Sequence, residues 1–267
     1  MNTQFDRETM PHKEQDETWN LTLSDQWNIG ENPNGGYLIM PVLRAMQPKE
    51  EHLDPLSVTA HFLRPGTGAE SAQITTEVIR SGRSVTTTRG SLSQHGTTRL
   101  ELLAAFGSLL NGTGHEYEIA IQPPAIPPPE ECVGRTGDQQ GVDLAINNRV
   151  EMRMAPVEEG IADHKKAEVS GWIRLVDGRD PDALSLVLFA DAFPPPIFSY
   201  LGRVGWVPTI EFTAHVRSRP APGWVQGKFW TEDLKDGRMI ETGLLWDSTG
   251  TLVAQSRQLA MFLPLDG

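Results

Sequence analysis

The chain has 267 residues, of which 38% are hydrophobic and 22% charged, and its formal net charge is −12 at pH 7. These values are typical of an ordinary globular protein that buries a substantial core. The negative charge argues against nucleic acid as a partner, because phosphate binding needs clustered Lys and Arg side chains. A phosphorylated small molecule remains compatible, since it needs only a few local cations.

Cysteine usage and hydropathy favour a cytoplasmic protein. Cys132 is the single cysteine, so no disulfide within the chain is possible. The first residues, 1–17, lack the apolar centre of a signal peptide, and no apolar run approaches the ~20 residues of a membrane span. We therefore expect a cytoplasmic location without membrane insertion.

The first half of the chain predicts a single buried helix followed by an antiparallel meander. A loose polar arm is expected over 1–18, a short strand over 19–23, and a helix over 37–46 that is apolar nearly all round and therefore buried. The strands predicted after it are 56–63, 72–80, 84–94 and 97–106. Short glycine-containing turns separate these strands, which makes neighbours antiparallel.

The second half repeats this plan after a connector. Prolines and glycines accumulate over 111–145, which predicts a connector that its prolines keep partly extended. The elements predicted beyond it are strands at 148–155 and 167–175, an apolar helix at 182–191, a second helical piece after Pro194–Pro196, and strands at 205–217, 223–232, 239–247 and 251–262.

Three landmarks recur at nearly one spacing. His61 and His215 each end a Thr-Ala-His run and lie 154 positions apart, and the same offset relates the turns at Gly96 and Gly250. The Gly-Arg pairs that begin at Gly82 and Gly237 lie 155 positions apart (237 − 82 = 155). Because repeats determine the fold, we interpret the chain as two copies of one unit. A buried helix cradled by a curved antiparallel sheet, present twice, predicts an α+β double hotdog with units at 19–110 and 146–267. Pairing the two sheets side by side would cover one edge strand of each.

The N-terminal half also carries motifs that resemble the type II acyl-CoA thioesterases, which are double-hotdog proteins. These are Asn-Gly-Gly-Tyr at 34–37, His-Phe-Leu-Arg-Pro-Gly at 61–66, Val-Ile-Arg-Ser-Gly-Arg-Ser at 78–84 and Ala-Ala-Phe at 104–106. The C-terminal half matches more weakly over 191–262. The resemblance implies hydrolysis of acyl-CoA to a carboxylic acid and free CoA, with acyl-CoA as the small-molecule partner.

The resemblance also implies a catalytic set in the C-terminal half, in which three side chains surround one water molecule. The family's Asp matches Asp191, its hydroxyl residue matches Thr209, and its Gln matches Gln258. Asp191 would accept a proton from the water, while Thr209 and Gln258 would orient it. The family's Asp-His pair is Glu211-Phe212 here, and three prolines follow soon after Asp191.

Further residues are substrate-binding candidates: Gly35, Gly36, Tyr37, His61, Arg64, Arg80, Arg83 and Phe193. Backbone N–H groups at the Gly35-Gly36 turn or at the Asp191 turn would polarise the thioester carbonyl. The arginines would meet CoA phosphates, and Phe193 would line the acyl chain. Each has a structural alternative: a tight helix start for the glycines, solvated turns for the arginines, and a helix N-cap for Asp191.

Two other functions remain open. A non-catalytic acyl-ligand-binding protein is compatible with the Glu211-Phe212 change and the triple proline. A hydratase is weakly supported, because neither half has an Asp and a His a few residues apart at the start of its helix. A thioester needs no metal or cofactor to react with water, and no phosphate-binding loop, Gly-x-Ser-x-Gly or His-Glu-x-x-His motif occurs. Hotdog sheets expose edges and faces that favour pairing, so we expect a homodimer.

Overall fold

A computed structural model describes residues 3–48, 54–110, 119–137, 141–156, 167–202 and 205–264. Its helices and strands are, in chain order, α1 (Gln4–Thr9), β1 (His12–Gln15), β2 (Thr18–Thr22), β3 (Asn28–Ile29), β4 (Asn32–Pro33), α2 (Gly35–Met46), β5 (Asp54–Phe62), β6 (Ser71–Ser81), β7 (Thr86–Gln94), β8 (Thr97–Gly107), β9 (Val133–Gly134), β10 (Val150–Met154), β11 (Glu168–Leu175), α3 (Ala183–Ala192), α4 (Ile197–Leu201), β12 (Gly205–Trp206), β13 (Thr209–Val216), β14 (Val225–Lys235), β15 (Arg238–Trp246), β16 (Leu252–Met261) and β17 (Leu263–Pro264).

One 13-stranded antiparallel sheet joins both halves of the described chain. Its strand order is β1-β2-β6-β7-β8-β5-β13-β16-β15-β14-β11-β10-β9. The N-terminal strands fill one side and the C-terminal strands the other, and β5 meets β13 where the two halves join. The predicted double hotdog, with its two sheets paired side by side, is confirmed.

The junction between β5 and β13 is the centre of an approximate two-fold symmetry. Thr59 pairs with Thr213 across it, and their hydroxyl oxygens lie 3.1 Å apart. These two threonines are separated by 154 positions, which is the offset found in the sequence. The repeat seen in the sequence is therefore a structural repeat whose equivalent residues meet at the join.

Helices α2 and α3 pack against each other under the sheet. Ten of the twelve residues of α2, and every residue of α3 except Asp191, are buried. Asn34 caps the first turn of α2, and a capping box of Asp182 and Ser185 begins α3. Because apolar side chains cover both helices almost all round, only an enclosing sheet can bury them.

The expectation that no apolar run reaches membrane-span length is wrong. Residues 183–201 form a 19-residue stretch that is long and apolar enough to span a membrane, yet 67% of its most apolar window is buried within the protein. Pro194–Pro196 divide the stretch into α3 and α4, as the sequence predicted. It is the core helix of the C-terminal unit and its short continuation.

The N-terminal arm is also different from the expectation, because it is docked and not loose. The side chain of Phe5 in α1 is 1% exposed and packs edge-on against Trp27. The Glu8 carboxylate accepts hydrogen bonds of 2.7 Å from the Trp27 indole of the first unit and from Arg149 of the second. A short helix with one buried aromatic and one paired carboxylate therefore links the two units.

The described part of the proline-rich connector lies on the C-terminal part of the sheet. Residues 119–128 form neither helix nor strand, and Pro129–Glu131 form a short 3₁₀ helix. The carbonyls of Ile121, Pro124 and Pro127 accept hydrogen bonds from Trp246 Nε1, Gln226 Nε2 and Trp172 Nε1, respectively. These three donors form one row across β15, β14 and β11. The carbonyls recur every third residue, which is the period of a polyproline II helix.

Candidate active site

Asp191 joins the two halves of the molecule through its carboxylate. It lies in the last turn of α3, and its Oδ2 accepts hydrogen bonds from the Gly36 amide at 2.6 Å and from Asn34 Nδ2 at 3.0 Å. Both donors belong to the start of α2 in the other unit. The N-cap role considered for Asp191 is therefore wrong: the carboxylate sits at the positive end of the neighbouring helix.

The glycines before Tyr37 are explained by this close approach. A Cβ added at Gly36 would lie 2.9 Å from the Leu188 carbonyl oxygen and 3.1 Å from the Cβ of Asp191. At Gly35 it would lie 2.8 Å from the Phe62 ring and 3.0 Å from Asp191 Oδ2. Only glycine allows α2 to begin this close to α3. Among the described residues, no acceptor for the Gly35 N–H is found, so this donor remains available.

The pKa of the Asp191 carboxyl lies close to neutral pH. Part of the residue is exposed, but the carboxyl group itself is enclosed, and this burial raises its pKa to about 7. The Gly36 amide and the Asn34 side chain oppose the effect by stabilising the charged form. Asp191 is therefore a carboxylate whose basicity suits proton abstraction at neutral pH.

A β-bulge brings Thr209 next to Gln258. Pairing between β13 and β16 shifts register between Thr209 and Glu211, so Ile210 is the extra residue. Without the bulge, Thr209 and the buried Phe212 would face opposite sides of the sheet, because they are three residues apart. With it, Thr209 faces inward and its hydroxyl donates to Gln258 Oε1 at 3.2 Å.

A residue that the sequence interpretation missed completes the set. Glu241 lies opposite Gln258 on β15, is 4% exposed, and accepts a hydrogen bond from the Gln258 side chain. Burial raises the pKa of Glu241 to about 8, and the negative charge of Asp191 adds to the increase. Hydrogen bonds and this field thus connect all four side chains. The available signal was an acidic residue at an inward position, between Met239 and Gly243, of a predicted strand.

Two of the predicted substrate-binding residues belong to the packed interior. The Tyr37 ring is fully buried and stacks on Trp27, and its hydroxyl donates to the Glu8 carbonyl and accepts from the Ser24 amide. Tyr37 thus fixes the N-terminal helix and does not point toward Asp191. Phe193, which ends α3, is 5% exposed and stacks on Phe229 at 4.6 Å between ring centroids.

The predicted histidine and arginine candidates lie on exposed surfaces. His61 is exposed, and it pairs with Glu211 on the face of the sheet opposite to that of Phe212 and Gln258. Arg80 and Arg83 are exposed at the β6–β7 turn, and four strands separate β6 from β16. The structure does not bring these three residues to Asp191. Arg64 is also exposed, but it follows Phe62, whose ring adjoins Gly35, and so lies nearer the site.

Two surface depressions lie elsewhere on the described part of the molecule. One of 460 Å³ is lined by polar residues that include Thr75 and Arg89, and one of 310 Å³ lies at the start of α3 around Asp182. In the described residues, no cluster of three or more His, Cys, Asp or Glu side chains could hold a metal ion. The candidate site is defined by its connected polar groups rather than by surface shape.

Comparison with known proteins identifies the family. The model of the acyl-CoA thioesterase N-terminal domain matches residues 23–107, and that of the acyl-CoA thioesterase C-terminal domain matches residues 129–262. The chain therefore belongs to the acyl-CoA thioesterase family.

Solved structures agree with this assignment. A candidate thioesterase II from Thermobifida fusca YX is 33% identical, with 97% of both chains covered and a TM-score of 0.85. An acyl-CoA thioesterase II from Mycobacterium marinum shares the fold at 18% identity, with 98% of both chains covered and a TM-score of 0.71. An uncharacterised protein of Mycobacterium tuberculosis is 26% identical over 90% of this chain and 89% of its own length.

Proposed function

We propose that the protein hydrolyses acyl-CoA thioesters, with water activated by Asp191 and oriented by Thr209 and Gln258. One observation carries the proposal. Asp191 is held at the start of α2 near a connected pair, Thr209–Gln258, and these are the three residues that the family resemblance selected. A poised base and two orienting groups are sufficient for attack on a reactive acyl compound.

The proposed reaction uses the hydrogen-bonding positions of these groups that the protein leaves unoccupied. Asp191 Oδ2 is held by Gly36 and Asn34, which leaves Oδ1 to accept a proton from water. As the proton moves to Oδ1, the water oxygen forms a bond to the thioester carbon and the carbonyl oxygen becomes an oxyanion. The unpaired Gly35 N–H at the helix start is the donor we assign to that oxyanion.

The second step releases both products. The tetrahedral intermediate collapses, the carbon–sulfur bond breaks, and the proton held by Asp191 passes to the departing CoA sulfur. Thioester and water thus become carboxylic acid and thiol, and Asp191 returns to its starting state. Arg64 is exposed and is the nearest candidate for a CoA phosphate.

The direct test is release of free thiol from a panel of acyl-CoAs that differ in chain length. The wild-type protein is expected to turn over at least one of them. Saturable binding of acyl-CoA without turnover at any chain length would overturn the proposal and favour the non-catalytic alternative.

Thr209→Ala and Gln258→Ala are expected to lower kcat more than they raise KM, because their hydrogen bonds orient the water in the transition state. Steady-state kinetics of each variant will measure this split. Gln255→Ala is the matched control, since Gln255 lies on the same strand and faces the other side of the sheet. A raised KM at unchanged kcat would instead assign both residues to substrate binding.

A further inference from the structure

A polar row crosses the inner face of the C-terminal unit. Thr231 on β14 lies opposite Glu241 on β15, and Glu241 lies opposite Gln258 on β16. Gln258 in turn accepts the bond from Thr209. The equivalent row of the N-terminal unit is Val78, Thr88 and Ala104, and the position equivalent to Thr209 is Pro55. The first unit thus has alanine where the second has the glutamine, and no carboxylate.

Glu241 is an unusual residue to bury for stability. Its side chain is 4% exposed, its Oε2 atom has no hydrogen-bond partner, and the Thr231 hydroxyl opposite is also unpartnered. A buried carboxyl without a cation and with one oxygen unsatisfied costs folding free energy. Such a group is retained for a reason other than packing, and its hydrogen bond to Gln258 indicates the reason.

We propose that Glu241 is a positioning residue that holds the Gln258 amide in the orientation required for hydrolysis. This inference rests on the proposed function and deepens it. Gln258 Oε1 accepts from the Thr209 hydroxyl on β13, so the amide nitrogen is turned toward β15, where Glu241 lies directly opposite. The Thr209 hydroxyl has its proton committed to Gln258, and its lone pairs are then free to accept a hydrogen bond from the reacting water.

The groups that face Glu241 determine whether its carboxyl is charged during the reaction. From α3 it meets the charge of Asp191, from β16 the neutral amide of Gln258, and from β14 the neutral hydroxyl of Thr231. Among the residues that the structure describes, no cationic side chain contributes to the pKa of Glu241, and burial and the negative charge of Asp191 both raise it, so the protonated form is favoured while Asp191 is ionised. An ionised Glu241 would add a second negative charge to a reaction that already develops an oxyanion.

The test uses two substitutions that separate hydrogen bonding from volume. Glu241→Gln keeps an oxygen for the Gln258 amide and cannot ionise, so we expect kcat at neutral pH close to the wild-type value. Its pH profile should also lose the alkaline decrease that ionisation of Glu241 causes in the wild type. Glu241→Leu fills a similar volume without an acceptor, and we expect kcat to fall roughly 10- to 100-fold at a nearly unchanged KM.

Glu232→Gln and Glu232→Leu are the matched controls, because Glu232 is exposed on the neighbouring strand. Equal effects at both positions would overturn the inference. So would an alkaline decrease that persists in Glu241→Gln, because that variant has no ionisable group at 241.

A second measurement does not depend on turnover. The side-chain amide signal of Gln258 in the NMR spectrum, identified by its absence from Gln258→Ala protein, should shift with pH through the ionisation of Glu241. That part of the shift should be missing in Glu241→Gln. An active wild-type enzyme whose Gln258 signal ignores Glu241 would overturn this inference alone. Absence of hydrolysis by the wild type would overturn the proposed function and the catalytic role, and the amide signal would still decide whether Glu241 holds Gln258.

Discussion

At the scale of single residues, two inward-facing carboxyl groups have different surroundings. Asp191 accepts two hydrogen bonds from the start of α2, whereas Glu241 accepts one from a neutral amide and leaves one oxygen unpaired. Because burial raises the pKa of both, and the better-solvated charge is that of Asp191, the first proton to leave is the one on Asp191. Asp191 can therefore act as a base while Glu241 stays neutral. Two carboxyl groups in identical surroundings would not be divided in this way.

Asn34→Ala is expected to move the acidic limb of the kcat/KM profile to higher pH. The rate rises as Asp191 ionises, the wild-type pKa is about 7, and the Asn34 side chain lowers that value. Removing the Asn34 amide therefore raises the Asp191 pKa further, so a higher pH is needed to reach the same activity. The variant also loses the N-cap of α2, at a cost of ~1 kcal/mol in stability. A limb that stays in place would show that Asn34 does not support the charge of Asp191.

The candidate site residues differ in how far the sequence could point to them. Asp191, Thr209 and Gln258 were found through resemblance to a family and not through any local pattern. The bulge that turns Thr209 inward has no clear sequence signal, because Ile210 is an ordinary strand residue. Glu241 occupies an inward position of a correctly predicted strand, and its acidity at such a position was a usable signal. The sequence could not predict that His61, Arg80 and Arg83 lie away from Asp191. Residue spacing reveals neither which face of a strand is exposed nor the order of strands in the sheet.

At the scale of secondary-structure elements, α1 connects the two units through hydrogen bonds and ion pairs. Its Phe5 amide donates to Asp177, its Asp6 contacts Arg44 and Arg179, and its Glu8 pairs with Arg149. Arg44 belongs to the first unit, while the other three partners belong to the second. The polar composition of 1–18 hid this role, because the helix contributes a single buried aromatic side chain and otherwise ion pairs.

Glu8→Ala is expected to destabilise the protein by ~1–3 kcal/mol, because it leaves Arg149, only 11% exposed, without its partner. Chemical denaturation followed by tryptophan fluorescence will measure the loss. Glu14→Ala is the control, since every residue of β1 is exposed. Equal midpoints for the two variants would show that α1 adds nothing to the join between the units.

The long strands and the helices α2 and α3 were predicted with ends close to those observed, because hydrophobic periodicity and glycine turns determine them locally. α1 and β1 lie in the arm that was predicted to be loose, and β3, β4, β9 and β17 were not predicted. The connector was predicted to be partly extended, and its bonded carbonyls at Ile121, Pro124 and Pro127 have the spacing of a polyproline segment. Its docking was not foreseeable, because the Trp172, Gln226 and Trp246 donors align only once β11, β14 and β15 are paired. A contact that depends on strand pairing can be predicted only after the strand order is known.

At the scale of the whole molecule, duplication has produced one sheet and one asymmetric site. The site uses the start of α2 from the first unit and the end of α3 with β13, β15 and β16 from the second. Neither unit could assemble it alone. The described sheet ends in two short strands, β1 and β9, and the expected homodimer stays a prediction.

The central claim is that Asp191 is the base for hydrolysis, and a single-turnover experiment tests it most directly. With protein in excess over acyl-CoA, free-thiol release reports the chemical step without product release. Asp191→Asn should slow this step by roughly 10²- to 10⁴-fold with the fold intact, while Asp233→Asn, an exposed control on β14, should match the wild type. An Asp191→Asn rate within a few-fold of the wild-type rate would contradict the mechanism.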